Sequence, residues 1–502
     1  MKTLKDIFIR FFPLVIVFTY SLYVPYDSDM GWHIKYGEYF FQHHAVLREN
    51  IFSTMMAGFH WINSSWATDL LTYLVFHNFS FLGISILGAL VMTFTFYFFS
   101  KAAHLTFWEK TILFPILLYL ESPFIEVSFR GQQLTLLAFA MLYYILSRYI
   151  AGKKKYAWCF LPLFLLWSNF HGQFILGLGI LFLMLVFYIL QKYYLTSIGD
   201  ERKKVLGEGK YLSLIFFSSL TSTLINPFGL HIYIESLRHF GNPLQQFIIE
   251  WLPFDRFSAL WWNLMFWEAL VILSLGIFIL RKNFFKNIHY IIPVILLLIL
   301  SIQVRRYTWV LLLISIPVVR VFISSIKPKL SEISATICVL VLVFFYGYII
   351  FAKAPTENVT AVDWNRYCDF IGCSPQAAEF LKNYKYTGKL MTFYNWGGWL
   401  IANYPEIKPS IDGRMHLWRD SSGYSAFIDY YPFEQNRKDI DQSDYNVVFM
   451  TTAKPIHRRL MELVKMGKWK IVYSDTRASI FVRIKNPPNL VTKDRQPAAK
   501  SR

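Results

Sequence analysis

Long apolar runs separated by short polar stretches recur from the N-terminus to about residue 350. Blocks of roughly 15 to 25 apolar residues suit an α-helix crossing about 30 Å of hydrocarbon. Eleven spans are expected, near residues 8 to 26, 69 to 99, 110 to 121, 132 to 150, 156 to 169, 174 to 191, 211 to 226, 261 to 280, 288 to 303, 307 to 325 and 333 to 352. Pro115 and Pro162 fall inside two of them, so neighbouring helices must satisfy the carbonyls that each proline frees.

Two connecting segments are too long to be turns. They are the loops 26–68 and 226–260, and each is expected to fold against the bundle. In the first, Trp32, Tyr36, Tyr39 and Phe40 recur at helical spacing, which predicts a helix over Met30 to Phe41 lying along the membrane interface. From about Thr356 the spanning pattern stops. Strands are expected at Lys389 to Phe393, Lys408 to Asp412, Asn446 to Met450, Trp469 to Tyr473 and Ser479 to Ile484, with helices over Trp399 to Asn403 and Ile456 to Met466. Alternating strands and helices make residues 353–486 a small α/β domain, and the polar tail 487–502 is expected to be disordered.

The chain is 55% hydrophobic and only 16% charged, against about 25% charged in an ordinary soluble domain. Its net charge of +18 raises the question of nucleic acid, but the positions of the charges answer it. With the N-terminus placed inside, every second loop is basic. Twenty Lys and Arg, from Lys2, Lys5 and Arg10 to Arg320, Lys327 and Lys329, fall on that face, against seven on the other before the C-terminal domain. This is the asymmetry of a multi-pass protein with basic loops in the cytoplasm. An odd number of spans then places the C-terminal domain outside, in the setting of a cell inner (plasma) membrane. The bilayer is the expected partner and nucleic acid is not. The first apolar run lacks a small-residue cleavage site and reads as a retained anchor.

Cys159 and Cys338 fall inside spans and read as apolar filler. Cys368 and Cys373 open the outer domain, where an oxidising compartment permits a disulfide across a short loop; free thiols and metal binding are the alternatives.

Candidate chemistry gathers at the expected outer face. Asp27 and Asp29 follow the first span directly, and a carboxylate there can take a proton from an acceptor hydroxyl or hold a divalent cation. Arg130 sits where a span begins, and Arg305 and Arg306 occupy a very short turn. Basic residues on this face run against the charge bias, and a guanidinium there suits a carboxylate or a phosphate. Glu250 is a counter-ion candidate, and Glu126 another. His171 lies in the polar interruption Trp167-Ser168-Asn169-Phe170-His171-Gly172, where it can act as a base, bind phosphate or cap a helix. Asn226-Pro227-Phe228-Gly229 reads as a helix stop. Asn395-Trp396-Gly397-Gly398-Trp399 and Ile411-Asp412-Gly413-Arg414 read as tight turns or as a binding edge. The sequence contains no Walker motif, dinucleotide fingerprint, zinc pattern or nucleophile elbow.

A basic start, one span and a long outer loop opening on Asp27-Ser28-Asp29 resemble the GT-C superfamily of polytopic membrane glycosyltransferases. The segment from Asp27 through Trp32, His33 and Lys35 to Gly37, with Arg130-Gly131-Gln132, the His171 segment, Asn226-Pro227-Phe228-Gly229 and Ile411-Asp412-Gly413-Arg414, is similar to a set found in bacterial polytopic proteins of this type. The resemblance covers most of the chain and implies a GT-C-like transmembrane domain over residues 1–352. It also implies transfer of a sugar from a polyprenyl-phosphate donor to an extracytoplasmic lipid, glycan or protein. Asp27 or Asp29 would be the catalytic base or the ligand of a divalent cation such as Mg or Mn. Only the acidic loop maps to that mechanism; by charge and position, apart from the resemblance, Arg130, Arg305 and Arg306 are the candidates to bind the donor's phosphate, with His33, His171 and Glu250 as further substrate-binding candidates. Gly131 stands where members of that set often have proline, which alters the helix start.

Two other classes compete. One is an oligosaccharide polymerase or ligase using a diphosphate-linked donor, with His171 and the arginines central. The other is a lipid or polysaccharide transporter, or a membrane scaffold, without catalysis. Transporters tend to carry internal repeats and midplane charges; no clear repeat is present here, and Glu268 is the main deep charge.

Overall fold

The computed structural model describes residues 4–196, 199–238, 243–254, 259–280, 284–325 and 359–484, with residues 340, 343, 344, 347 and 348 between the last two. The helices up to residue 325 are α1 (Leu4–Tyr20), α2 (Met30–His43), α3 (Trp66–Ala102), α4 (Phe107–Leu120), α5 (Ser122–Ile125), α6 (Gly131–Ile150), α7 (Phe160–Phe170), α8 (Phe174–Leu195), α9 (Asp200–Ser222), α10 (His231–Arg238), α11 (Ala259–Leu280), α12 (Ile288–Gln303), α13 (Thr308–Ile314) and α14 (Ile316–Ser325). The chain divides into two compact units. The first holds Met1–Asp27, His33–Arg48 and Trp61–Asp363; the second holds Ser28–Trp32, Glu49–His60 and Trp364–Arg502.

In the first unit α6 is packed by α3, α7 and α13. Phe139, Tyr143 and Leu146 on α6 are fully buried. Close packing, rather than exclusion of water, holds helices together in lipid, so small residues matter where backbones approach. A side chain at Gly88 of α3 would strike the carbonyl of Ser128, just before α6. α3 runs for 37 residues but is broken at Ser80 (φ 54°, ψ −151°), so the expected single long span is two helical segments.

The expected eleven spans are not reproduced. Among the described residues five helices are long and apolar enough to cross a membrane: Trp66–Ala102, Gly131–Ile150, Phe174–Leu195, Trp261–Leu280 and Phe285–Gln303. A sixth span forms if the pair Arg305–Ile314 and Ile316–Ile323, bent by 53°, is counted as one. Length explains part of the shortfall: α4 has 14 residues and α7 has 11, or about 21 and 17 Å of rise against about 30 Å of hydrocarbon. α9 spends its first half on charged residues from Asp200 to Lys210. The expected span at 333 to 352 lies almost wholly outside the described residues, as does the tail 487–502. The chain remains a helical membrane protein.

Polar contacts tie helix ends in this unit. Glu109 closes a capping box with Thr106 at the start of α4 and pairs with Arg320 of α14 at 2.9 Å. Glu208 bridges Lys154 and Lys192. Burial would raise the Glu208 carboxyl, but hydrogen bonds from Lys154 and Lys192 push it down to about 2.

The second unit contains β1 (Lys389–Thr392), β2 (Tyr445–Thr451), β3 (Trp469–Ser474) and β4 (Ala478–Arg483) in the order β1-β2-β4-β3. β1 and β2 are parallel, and β4 runs antiparallel to both β2 and β3. Covered on both faces, β2 reads as the continuous apolar run Val447-Val448-Phe449-Met450, all fully buried. Helices Trp364–Ile371, Pro375–Asn383, Gly397–Asn403, Ala426–Glu434 and Pro455–Lys465 complete it. The Ser374 hydroxyl caps the second of these by accepting from Ala377 N–H at 3.0 Å, and proline opens both the second and the last.

The strand expected at Lys408 to Asp412 does not form. Pro409 has no N–H to give a ladder, and Ser410 and Thr392 instead exchange bonds through their hydroxyls, each backbone N–H reaching the other's oxygen at 2.9 Å. The carbonyls of Pro409 and Ser410 accept from Thr54 and Met55 N–H at 2.9 and 3.0 Å, which draws the 49–60 segment into this unit. Cys368 and Cys373 form a disulfide, with Cα atoms 4.6 Å apart.

Candidate active site

The start of α6 is set by Gln133. Its side-chain oxygen accepts the Arg130 backbone N–H, and its amide nitrogen donates to the carbonyls of Phe124 and Ser128, each at 3.1 Å. The backbone of Arg130 is thereby pinned at the helix end. The guanidinium then spans two acids: Nε is 2.7 Å from Asp27 Oδ2, and Nη1 is 3.2 Å from Glu250 Oε1. The other oxygen of Glu250 lies 3.6 Å from Arg306 Nη1, and the Arg306 guanidinium lies over the Trp251 ring at 4.9 Å. Arg305 donates to the carbonyls of Leu252 and Pro253 at 3.2 and 2.7 Å, and its guanidinium lies over Phe254 at 5.0 Å.

Arg130, Glu250, Arg305 and Arg306 line one cavity of about 230 Å³. Gln132, Gln133 and Gln173 add amide groups, while Phe124, Leu136, Phe254 and Trp309 supply apolar wall. Among the described residues the guanidinium groups of Arg130, Arg305 and Arg306 lie with the carboxylate of Glu250 and, behind Arg130, that of Asp27. Among the described residues the buried Arg306 Nε has no hydrogen-bond partner. A cationic cleft with an amide rim and an apolar wall fits an anionic group attached to something greasy.

The other expected site residues have partners of their own. His171 is buried at the end of α7, with Nδ1 2.8 Å from Thr135 Oγ1, and that oxygen accepts the indole N–H of Trp167 at 3.0 Å. Gly131 is explained by this neighbour: a Cβ there would come within 2.9 Å of the His171 ring. His33 pairs through Nδ1 with Asp69 at 2.5 Å, and Asn63 donates to the second oxygen of that fully buried carboxylate at 2.5 Å. Asp29 belongs to the second unit, where its carboxylate lies against Gly413.

Sequence reasoning did not single out Asp69, which lacks any motif around it, or Gln173 and Trp309, whose part in the cavity depends on how helices are juxtaposed. Glu250, a counter-ion candidate, reaches the Arg130 guanidinium, and so does Asp27. Among the described residues no three His, Cys, Asp or Glu side chains gather as a metal-ion site. Asp27 is paired with the Arg130 guanidinium, and Asp29 belongs to the second unit.

No family model matches the chain, and no curated protein sequence matches it. Its fold is similar to that of solved structures. The similarity is to the Archaeoglobus fulgidus oligosaccharyltransferase: to a crystal structure tethered through a disulfide bond with an acceptor peptide containing the NVT sequon, at TM-score 0.54 and 10% identity, over 96% of this chain and 75% of that one. The apo form of the same enzyme gives TM-score 0.53 and 11% identity over 97% and 76%. At such identity the likeness is one of fold.

Proposed function

We propose that this protein is a membrane glycosyltransferase that moves a sugar from a polyprenyl-phosphate donor to an acceptor outside the cytoplasm. The observation that carries the reading is the cavity in which Arg130, Arg305 and Arg306 meet beside Glu250 and Asp27. In the reaction an acceptor oxygen or nitrogen attacks the anomeric carbon and the bond from that carbon to the phosphate oxygen breaks. The phosphate leaves on its lipid carrying the electron pair, and guanidinium donors stabilise the charge it gains. The acceptor's proton passes to a carboxylate of the acidic segment, Asp27 or Asp29. Asp27, already paired with Arg130, also orients that guanidinium. A divalent cation would supply further charge stabilisation when bound; the residues described do not form a site for it, and no step here runs through one.

The outer placement of the acceptor is supported by the charge asymmetry of the loops and by the Cys368–Cys373 disulfide, which belongs in an oxidising compartment. The test compares lipid-linked and surface glycans by mass spectrometry in cells with the wild-type protein, with Arg130→Ala and without the protein. The reading expects one sugar to disappear in the last two and its lipid-linked donor to accumulate. Unchanged glycans would move the protein to the transporter or scaffold class. Loss of a polymer with its repeat unit intact would favour the polymerase.

A further inference from the structure

The second unit contains three sequence motifs at once: the acidic segment Ser28–Trp32, the run Asn395-Trp396-Gly397-Gly398 and the turn Asp412-Gly413-Arg414. Their glycines do not serve the turn conformations that the sequence suggests. Gly372, Gly388, Gly423 and Gly467 have positive φ, but Gly31, Gly397, Gly398 and Gly413 are not among the positive-φ glycines. What these four positions share is the absence of room for a side chain.

A Cβ on Gly31 would strike the carbonyl of Gly398, and one on Gly398 would strike the carbonyl of Ser28 and approach the Asp29 Cα to 3.4 Å. A Cβ on Gly413 would overlap an Asp29 carboxylate oxygen and come within 2.7 Å of its Cγ. One on Gly397 would lie 2.6 Å from the Asp412 Cβ, so the two glycine runs also pack on each other.

The turn carrying Gly413 cannot easily retreat. Asp412 is fully buried and accepts from Arg414 through the backbone N–H at 3.1 Å, Nε at 2.8 Å and Nη2 at 2.7 Å, and from the Ser53 hydroxyl. Arg414 Nη2 also donates to Asn50 at 2.9 Å, and its guanidinium lies over Trp32, Phe52 and Trp418 at 5.9, 5.0 and 5.4 Å. An ion pair buried this well and bonded on both partners fixes geometry more than it adds stability.

We propose that Gly31, Gly398 and Gly413, braced by Asp412 and Arg414, form a cradle that sets the backbone of Ser28–Trp32 and the position of the Asp29 carboxylate. The two glycine motifs of the C-terminal half are then positioning residues for the acidic segment. Their functional consequence rests on the glycosyltransferase reading given above; the cradle itself does not.

The test uses the full-length protein in nanodiscs. Gly413→Ala places its methyl group on the end of the Asp29 side chain rather than on backbone. Carbodiimide labelling of carboxylates, read by mass spectrometry, should change at Asp29 by threefold or more and stay unchanged at Asp27. Gly276→Ala, where a side chain meets open space, should change neither. Unchanged labelling of Asp29 overturns the cradle. If Gly413→Ala does not fold, Asp29→Cys combined with Gly413→Cys should close a disulfide on mild oxidation; its absence overturns the cradle equally.

For the positioning role, Gly413→Ala should lower kcat several-fold with KM little changed, and cost nothing further in an Asp29→Asn background, because coupled residues are not additive. Additive losses overturn that role. If Asp29→Asn transfers sugar normally while labelling responds as expected, the cradle stands and the functional reading of Asp29 falls.

Discussion

Arg130 and Asp27 stand 2.7 Å apart, Nε to Oδ2, joining the end of the first apolar run to the start of α6. Asp27 is almost fully buried and Arg130 mostly so, with side chains 5% and 21% exposed. Such a pair contributes little net stability by itself, yet removing one partner leaves a charge stranded, at a cost of about 3–5 kcal/mol.

Arg130→Ala is therefore expected to cut transfer by roughly 10²–10³-fold if the guanidinium faces the leaving phosphate. It should also lower stability in unfolding measurements by about 3 kcal/mol. Arg130→Lys keeps the charge but has no fork to span Asp27 and Glu250 together, so it should recover little activity and most of the stability. Full activity in Arg130→Lys would show that charge alone suffices.

His171 separates the two enzymatic readings. Its Nδ1 is engaged by Thr135, which in turn accepts from Trp167. In the glycosyltransferase account it supports the helix end, and His171→Gln should reduce kcat by no more than about tenfold, in line with the loss of a hydrogen bond worth about 1 kcal/mol. A loss as deep as that of Arg130→Ala would place His171 at the chemistry and favour the polymerase.

The Asp412–Arg414 pair gives the second unit an acid dependence. Burial raises the Asp412 carboxyl, but the Arg414 guanidinium overrides it and the net direction is below the ordinary 3.8. A folded-state value below the unfolded one means stabilisation fully present above the ordinary value and lost as pH falls through the folded one. Hydrogen exchange in peptides covering β2 should thus be protected near neutrality and lose protection below about pH 4, and Asp412→Asn should be less protected at neutrality with a weaker acid response. An unchanged acid profile in that variant would remove the pair from the explanation.

The helical membrane class was legible because lipid imposes a length and polarity rule on each span separately. The number of spans was not, because α4, α7 and the two segments of α3 depend on neighbours to decide where a helix stops. At the site, Arg130, Arg305 and Arg306 were visible as charges against the bias of their face, and Glu250 as a counter-ion. Asp69 and Gln173 were not, since only tertiary packing brings Asp69 to His33 and Gln173 to the cavity. The glycines at 397, 398 and 413 were read as turn formers or as a binding edge. A sequence cannot distinguish a glycine needed for its backbone angle from one needed for close approach.

The Cys368–Cys373 disulfide closes a loop with a sequence separation of 5. Chain entropy assigns so small a loop about 2 kcal/mol. Cys368→Ser with Cys373→Ser should destabilise the second unit by up to that amount, measured by denaturant unfolding, and leave sugar transfer unchanged. A collapse of activity would tie this end of the domain to the reaction.

The cavity's proposed task is to hold a lipid-linked phosphate, and that can be measured without knowing the sugar. Thermal shift and direct titration of the purified protein in nanodiscs with a polyprenyl monophosphate should give saturable binding in the wild type. Arg130→Ala and Arg306→Ala should weaken it by at least tenfold, while the uncharged polyprenol should bind poorly to all three. Equal affinity of wild type and variants for the phosphate, or no preference for phosphate over alcohol, would contradict the account.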